Sequence, residues 1–131
     1  MNFKDYLDEH ISVMLKVKNL ENDITTISKI CSDSISNDKK IMFCGNGGSA
    51  ADSQHLAAEF TGRFTKDRKP LNSVALTTDT SALTCIANDY SFDEVFSRPL
   101  EAFGKKTDVL LVISTSGKSK NIIKALKKAK Q

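Results

Sequence analysis

The 131-residue chain carries 19 basic and 16 acidic side chains, which gives a formal net charge of +3 at pH 7. A chain of this length buries roughly two-thirds of its unfolded surface, so we expect one genuine hydrophobic core. Hydrophobic residues make up 40% and charged residues 27%, and no apolar run is long enough to span a bilayer. This composition excludes an integral membrane protein and favours a globular one.

The ends of the chain and its cysteines indicate the compartment and the partners. Residues 1–10 are acidic and amphipathic rather than basic and then apolar, so we expect no signal peptide and a cytoplasmic protein. Cys31, Cys44 and Cys85 lie far apart in apolar surroundings, which favours buried reduced thiols over a disulfide framework or a zinc knuckle. The Lys-rich residues 124–131 suit a last helical turn better than a nucleic-acid patch. We therefore expect neither a nucleic acid nor a membrane as partner.

Apolar periodicity predicts helices before the first strand. The spacing predicts one helix over Phe3–Leu20 and a second that is capped by Asn22 or Asp23. The short apolar run Ile41–Cys44 is followed by glycines, as expected of a buried parallel strand. A helix should then begin at Ser49, with Ser49 and Asp52 forming a capping box, and end near Phe60.

The second half of the chain continues the alternation of strands and helices. Ser73–Leu76 is predicted to be a strand, followed by a short helix over Ala82–Ala87 and another over Asp93–Phe103, which Pro99 could delay or kink. Asp108–Ile113 gives the clearest signal for a strand, and a final helix is predicted to follow it. The pattern predicts an α/β fold with a parallel sheet, in which residues 1–37 form a helical segment and residues 38–131 the domain.

Two loops are predicted to follow the carboxyl ends of strands, where open α/β sheets bind ligands. The second loop, STSGKS, offers several hydroxyls, a flexible glycine and the free amides of a helix start, which together suit a phosphate. Taken alone, a turn of this kind also serves simply to cap a helix. Lys118 could add positive charge or point to solvent.

The helix after the first loop carries a second polar cluster. His55 and Glu59 are four residues apart, and Asp52 precedes His55 by three, so all three lie near one helical face. Arg63 lies one further turn along, so an alternative pairs Glu59 with Arg63 and leaves His55 as an ordinary polar residue.

Three segments, in order, resemble the phosphoheptose isomerase (sedoheptulose 7-phosphate isomerase) family of the sugar isomerase (SIS) superfamily. They are GNGGSAADSQHLAAEFTGRF at Gly45–Phe64, TTDTSALTCIANDYSFDEVFSR at Thr77–Arg98, and ISTSGKSKNIIKAL at Ile113–Leu126. The resemblance covers the chain from about Lys39 onward. It implies a three-layer, flavodoxin-like parallel sheet with flanking helices, preceded by amino-terminal helices.

The resemblance also implies roles for individual residues. Glu59 matches the family's catalytic carboxylate, and His55 and Glu59 match positions that ligate zinc where metal is present. The implied substrate-binding residues are Asn46, Gly47, Gly48, Glu59, Asn88, Asp89, Ser114, Thr115, Ser116 and Ser119.

The implied activity is an aldose-ketose isomerisation through an enediol. It would convert sedoheptulose 7-phosphate to D-glycero-D-manno-heptose 7-phosphate for lipopolysaccharide or other surface heptoses, in a homo-oligomer that is a tetramer in the family. Two alternatives are a non-catalytic SIS module that binds a phosphosugar or associates with a replication initiator, and an inactive remnant.

The sequence departs from the family pattern in two respects. The family continues with further strands and helices, including a glutamine and a histidine that complete its site, so we expect a truncated SIS domain that lacks these two residues. The strand at Val109–Ile113 should then lie at a sheet edge, which favours association. Lys118 replaces a usual asparagine in the phosphate loop.

Overall fold

A computed structural model describes residues 2–131. It divides into two compact units, one that ends at Asp33 and one that spans Ser34–Gln131. The elements, in chain order, are α1 (Phe3–Lys16), a 3-10 helix (Val17–Leu20), α2 (Glu21–Ser36), β1 (Ile41–Gly45), α3 (Gly48–Thr61), β2 (Ser73–Ala75), α4 (Thr80–Asp89), a 3-10 turn (Phe92–Glu94), α5 (Ser97–Phe103), β3 (Val109–Ile113) and α6 (Lys120–Ala129).

The amino-terminal unit begins with a capping box. The Asn2 side chain accepts a hydrogen bond from the Asp5 amide, and the Asp5 carboxylate accepts one from the Asn2 amide, at 3.0 and 3.1 Å. The predicted helix over Phe3–Leu20 tightens into a 3-10 helix after Lys16. The predicted cap at Asn22 or Asp23 is wrong, because the 3-10 helix leads directly into α2 at Glu21 without an extended residue between them.

The second unit is built on a three-stranded parallel sheet with the strand order β2-β1-β3. All five residues of β1 are buried, as expected of a central strand with covered faces. In β3 every residue is only partly buried, and this strand forms one edge of the sheet, as predicted. The chain leaves β1 toward β2 on one side and returns to β3 on the other, so the order reverses between β1 and β3.

The apolar side chains of β1 alternate between the two faces of the sheet, and helices cover both faces. Phe43 lies on one face, 5.8 Å between ring centroids from Phe60 of α3. Met42 and Cys44 lie on the other face in a core formed with α5, α6 and the segment between α4 and α5. That core comprises Met42, Cys44, Leu76, Val95, Phe96, Leu100, Ile122 and Ala125. The predicted three-layer α/β architecture is confirmed.

Three local predictions need correction. Helix α3 begins at Gly48 after Gly47 and has no side-chain cap, so Ser49 lies inside the helix rather than capping it. The helix predicted over Asp93–Phe103 is a short 3-10 turn followed by α5, with Pro99 in the first turn of α5, where a missing N–H is tolerated. Cys85 is exposed, whereas Cys44 is buried and Cys31 partly buried, all three as free thiols.

Candidate phosphosugar site

The loop after β1 is shaped by two glycines with different tasks. A Cβ on Gly45 would lie 2.6 Å from the Ser49 carbonyl oxygen, so the close approach of α3 to the strand end requires glycine. Gly47 has φ +58°, in the left-handed region that glycine adopts at low cost. A Cβ on Gly47 or Gly48 would have no atom within 4 Å, so the loop borders open space.

The loop after β3 uses its serines in two ways. Ser114 Oγ accepts a hydrogen bond from the Gly117 amide at 3.1 Å, and Ser116 Oγ accepts one from the Lys118 amide at 3.2 Å. Each hydroxyl therefore helps to hold the turn while its own proton stays available to donate. Ser119 occupies the cap position of α6 but makes no capping bond with its side chain. The simple capping interpretation thus fails at Ser119.

The two loops lie side by side. Gly45 and Ile113 are paired in the parallel register of β1 and β3, so Asn46 and Ser114 leave neighbouring strand ends at the point where the strand order reverses. Ligands of open α/β sheets bind in this crevice. The arrangement offers glycine backbone from one loop, hydroxyls from the other and the first-turn amides of α6, a combination that suits a phosphate.

Asn121 joins the two loops and was missed in the sequence. It is 3% exposed, and it exchanges two side-chain hydrogen bonds with Asn46, at 3.0 and 2.9 Å. The only sequence signal was an asparagine beside the apolar pair Ile122 and Ile123 in the first turn of a helix. An amide buried at such a position requires a specific partner.

His55 and Glu59 pair along α3. His55 Nε2 lies 3.4 Å from Glu59 Oε1, and their side chains are 76% and 28% exposed. Among residues 2–131, Glu59 forms no ion pair with Arg63, so the alternative pairing is wrong. The carboxylate therefore lies beside an imidazole while part of it remains open to a ligand.

The carboxyl end of α3 lies at the amino ends of the strands, whereas the two loops lie at their carboxyl ends. Ser73, the first residue of β2, donates a hydrogen bond from Oγ to the Ala57 carbonyl at 2.8 Å. The Arg68 guanidinium, also missed in the sequence, caps this end by donating to the carbonyls of Glu59 and Phe60. Glu59 lies ten residues after Ser49 along the helix, which corresponds to a rise of about 15 Å. Within one chain, Glu59 is not brought next to the loops.

Asn88 and Asp89 form a polar pair at the end of α4. They lie in the last turn of α4, where Asn88 Nδ2 donates to Asp89 Oδ1 at 2.8 Å and Cys85 Sγ donates to Asp89 Oδ2 at 3.3 Å. The hydrogen bonds from Asn88 and then from Cys85 hold the pKa of Asp89 below its ordinary value. The pair thus presents an exposed carboxylate that stays ionised.

The residues present do not form a complete zinc site. Zinc in proteins is held by at least three protein ligands in most sites. His55 and Glu59 supply two donors, and the described part of the chain contains no group of three or more His, Cys, Asp or Glu side chains arranged to hold a metal. Zinc at this pair stays a prediction.

The fold and the paired loops define the class of protein. Residues 5–131 match the model of the SIS domain family, and the chain belongs to that family. None of the helices within residues 2–131 is long and apolar enough to cross a membrane.

Curated relatives narrow the class. The chain is 51% identical over 128 residues to the phosphoheptose isomerase of Campylobacter concisus, covering 98% of this chain and 68% of that protein. It is 49% identical over 127 residues to the Helicobacter pylori enzyme of the same name, covering 97% and 66%. The chain spans about two-thirds of the length of these relatives, and it belongs to the phosphoheptose isomerase family.

Solved structures agree with this assignment. The phosphoheptose isomerase of Neisseria gonorrhoeae superposes with a TM-score of 0.83 at 45% identity, over 98% of this chain and 70% of that one. The enzyme from Francisella tularensis gives the same TM-score at 31% identity, over 99% and 71%. The predicted SIS-type fold and family are confirmed.

Proposed function

We propose that the chain acts as a sugar-phosphate isomerase that converts sedoheptulose 7-phosphate to D-glycero-D-manno-heptose 7-phosphate. The observation that carries the proposal is the partly exposed Glu59 carboxylate, which lies beside His55 in a segment that matches the family's catalytic block. The expected setting is the cytoplasm and the supply of heptose for lipopolysaccharide or other surface glycans.

Glu59 serves as the base in this reaction. Its carboxylate removes a proton from C1 of the ketose while water donates a proton to the C2 oxygen, and an enediol forms. The Glu59 carboxyl group returns its proton to C2 while water takes the O1 proton, which gives the aldose with no external oxidant or reductant. Proton transfer by a positioned carboxylate typically contributes about 10²–10⁴-fold in rate. His55 lies beside Glu59, with 3.4 Å between Nε2 and Oε1.

The phosphate binds at the loop after β3. Ser114, Thr115, Ser116 and Ser119 offer hydroxyl protons, and the start of α6 offers backbone amides. Asn46, Gly47 and Gly48 face the sugar from the neighbouring loop, where the glycines border open space. Lys118 belongs to this loop and adds positive charge to it, while the hydroxyl donors are retained.

The working unit is a homo-oligomer in which neighbouring chains share each site. Glu59 lies about 15 Å along α3 from the loops of its own chain, a separation that one bound sugar phosphate does not bridge easily. The amino-terminal unit supports association, because α1 contains no buried residue and exposes large apolar side chains. These include Phe3, Tyr6, Ile11, Val13, Met14 and Leu15, each at least 47% exposed.

The first experiment measures conversion of sedoheptulose 7-phosphate by the purified chain, with and without added zinc. We expect turnover that falls at least 10²-fold in Glu59→Gln, while phosphosugar binding and the unfolding midpoint stay close to the wild-type values. Phosphosugar binding without turnover in either condition would instead support a non-catalytic SIS module. No binding of any sugar phosphate would indicate an inactive remnant.

A second experiment tests the shared site by complementation. Glu59→Gln lacks the base, and Ser116→Ala combined with Ser119→Ala lacks two hydroxyls of the phosphate loop. If each site uses loops from one chain and Glu59 from another, mixing these two inactive variants should restore a substantial fraction of activity. Sedimentation should show the same oligomer for all three samples. Absence of recovery after verified subunit exchange would place each site within one chain.

A further inference from the structure

The side chains of Asn46 and Asn121 form a closed amide pair between the two loops. Asn46 Nδ2 donates to Asn121 Oδ1 at 3.0 Å, and Asn121 Nδ2 donates to Asn46 Oδ1 at 2.9 Å. The two bonds run in opposite directions, so each amide fixes the rotation of the other. The pair connects residues 75 positions apart in the sequence.

The two side chains of the pair differ in the hydrogen-bonding groups that remain unused within the protein. Asn121 Oδ1 also accepts a hydrogen bond from the Ile122 amide at 2.9 Å, so both of its acceptor positions are used within the protein. Asn121 is 3% exposed and has no access to a ligand. Asn46 is only partly buried, and its amide keeps one N–H and one acceptor position beyond the pair.

We propose that Asn121 is a positioning residue for phosphosugar binding, which holds the Asn46 amide toward the sugar and ties it to the phosphate loop. This inference rests on the proposed function. Asn121 lies two residues after Ser119 in the first turn of α6, the same turn that offers amides to the phosphate. A phosphate that settles on this turn therefore finds Asn46 already oriented for the rest of the ligand.

A purely structural role for Asn121 would give a different result in an aspartate variant. If Asn121 served only to hold the Ile122 amide, an aspartate in its place would retain that bond and leave sugar-phosphate binding close to that of the wild type, although burial of the new charge would lower the stability. If it orients Asn46, the aspartate also weakens sugar-phosphate binding, because a second oxygen replaces Nδ2 and faces Asn46 Oδ1. Asn121→Asp and Asn121→Ala together separate these roles.

The test compares two probes, inorganic phosphate and sedoheptulose 7-phosphate, by calorimetry. In Asn121→Ala we expect a Kd for the sugar phosphate that is about 10-fold higher, which is the usual effect of losing one hydrogen bond. The Kd for inorganic phosphate should change less than about 2-fold, because the serine loop is intact. Asn46→Ala should cause a similar loss, and the double variant should lose no more than either single one.

Nuclear magnetic resonance of side-chain amides provides a readout that needs no ligand. The Asn46 amide signals should move in both Asn121→Asp and Asn121→Ala, whereas Asn72→Asp, an exposed change of the same kind, should leave them in place. An unchanged Kd for the sugar phosphate in Asn121→Ala, or losses that add in the double variant, would overturn the inference. If the wild type binds neither probe, the proposed function fails. The Asn46 signals then test only the amide pair: shifts in both variants support the contact between Asn46 and Asn121, and unchanged signals overturn that contact and the inference with it.

Discussion

Lys40 Nζ and Asp108 Oδ2 form an ion pair at the amino ends of β1 and β3, with side chains that are only 16% and 4% exposed. Asp108 also accepts hydrogen bonds from the Lys40 and Lys105 amides, at 3.0 and 2.8 Å. The carboxylate thus joins the central strand to the edge strand at the end of the sheet opposite the two loops. A charge buried with this many partners is costly to disturb.

Asp108→Asn should therefore destabilise the protein by about 2–3 kcal/mol, because the amide loses the charge that pairs with Lys40 and mismatches one backbone donor. Urea unfolding at pH 7 measures the change. Glu101→Gln is the matched control, since Glu101 pairs with Lys128 while its side chain is 64% exposed, and such pairs contribute about 0–1 kcal/mol. Equal effects of the two substitutions would contradict the structural role of Asp108.

The same carboxylate makes stability depend on acid. Burial alone would raise the pKa of Asp108, but the hydrogen bonds and charge of Lys40 and the Lys105 amide outweigh it and hold the pKa below its ordinary value. Its contribution is therefore complete above the ordinary aspartate pKa and is lost as pH falls through the lower folded value. The difference in unfolding free energy between wild type and Asp108→Asn should be largest at pH 7 and shrink toward pH 3. A constant difference across this range would refute the assignment.

Gly45 and Gly48 offer a contrast between packing and ligand contact. Gly45→Ala should destabilise the protein by about 1–3 kcal/mol, because its Cβ would meet the Ser49 backbone at 2.6 Å. Gly48→Ala should leave the unfolding midpoint nearly unchanged, since its Cβ enters open space, and should weaken sugar-phosphate binding if that space holds the ligand. Thermal unfolding and calorimetry of both variants measure the two effects. Loss of stability in Gly48→Ala would show that its space is not open.

The fold was largely predictable from sequence because its signals are local. The apolar runs at β1 and β3 and the glycines after β1 indicated parallel strands that feed helices. Helix starts were less predictable, because the glycine turn at Gly47 and the continuous 3-10 helix before Glu21 replace side-chain caps.

The site was predictable only as separate pieces. The loops after β1 and β3 are close because the strands are adjacent, which the α/β pattern predicts. The distance of Glu59 from those loops depends on α3 running back along the sheet, and the Asn46–Asn121 pair links residues far apart in sequence. Neither relationship leaves a periodic signal in the chain.

The free thiols of Cys44 and Cys85 should react at different rates, which burial and Asp89 determine. Burial raises the pKa of Cys44 to about 12, so this thiol should react with a disulfide reagent only on unfolding. Cys85 is exposed and should react first in the native protein, although its hydrogen bond to Asp89 raises its pKa and slows it.

Asp89→Asn should accelerate labelling of Cys85 several-fold at pH 8, because the thiolate no longer forms beside a negative charge. Asp93→Asn provides a control on a carboxylate that does not contact the thiol, and peptide mapping by mass spectrometry assigns each modified cysteine. Labelling of Cys44 as fast as that of Cys85 would contradict the buried position of β1. An unchanged Cys85 rate in Asp89→Asn would contradict the contact between these two side chains at the end of α4.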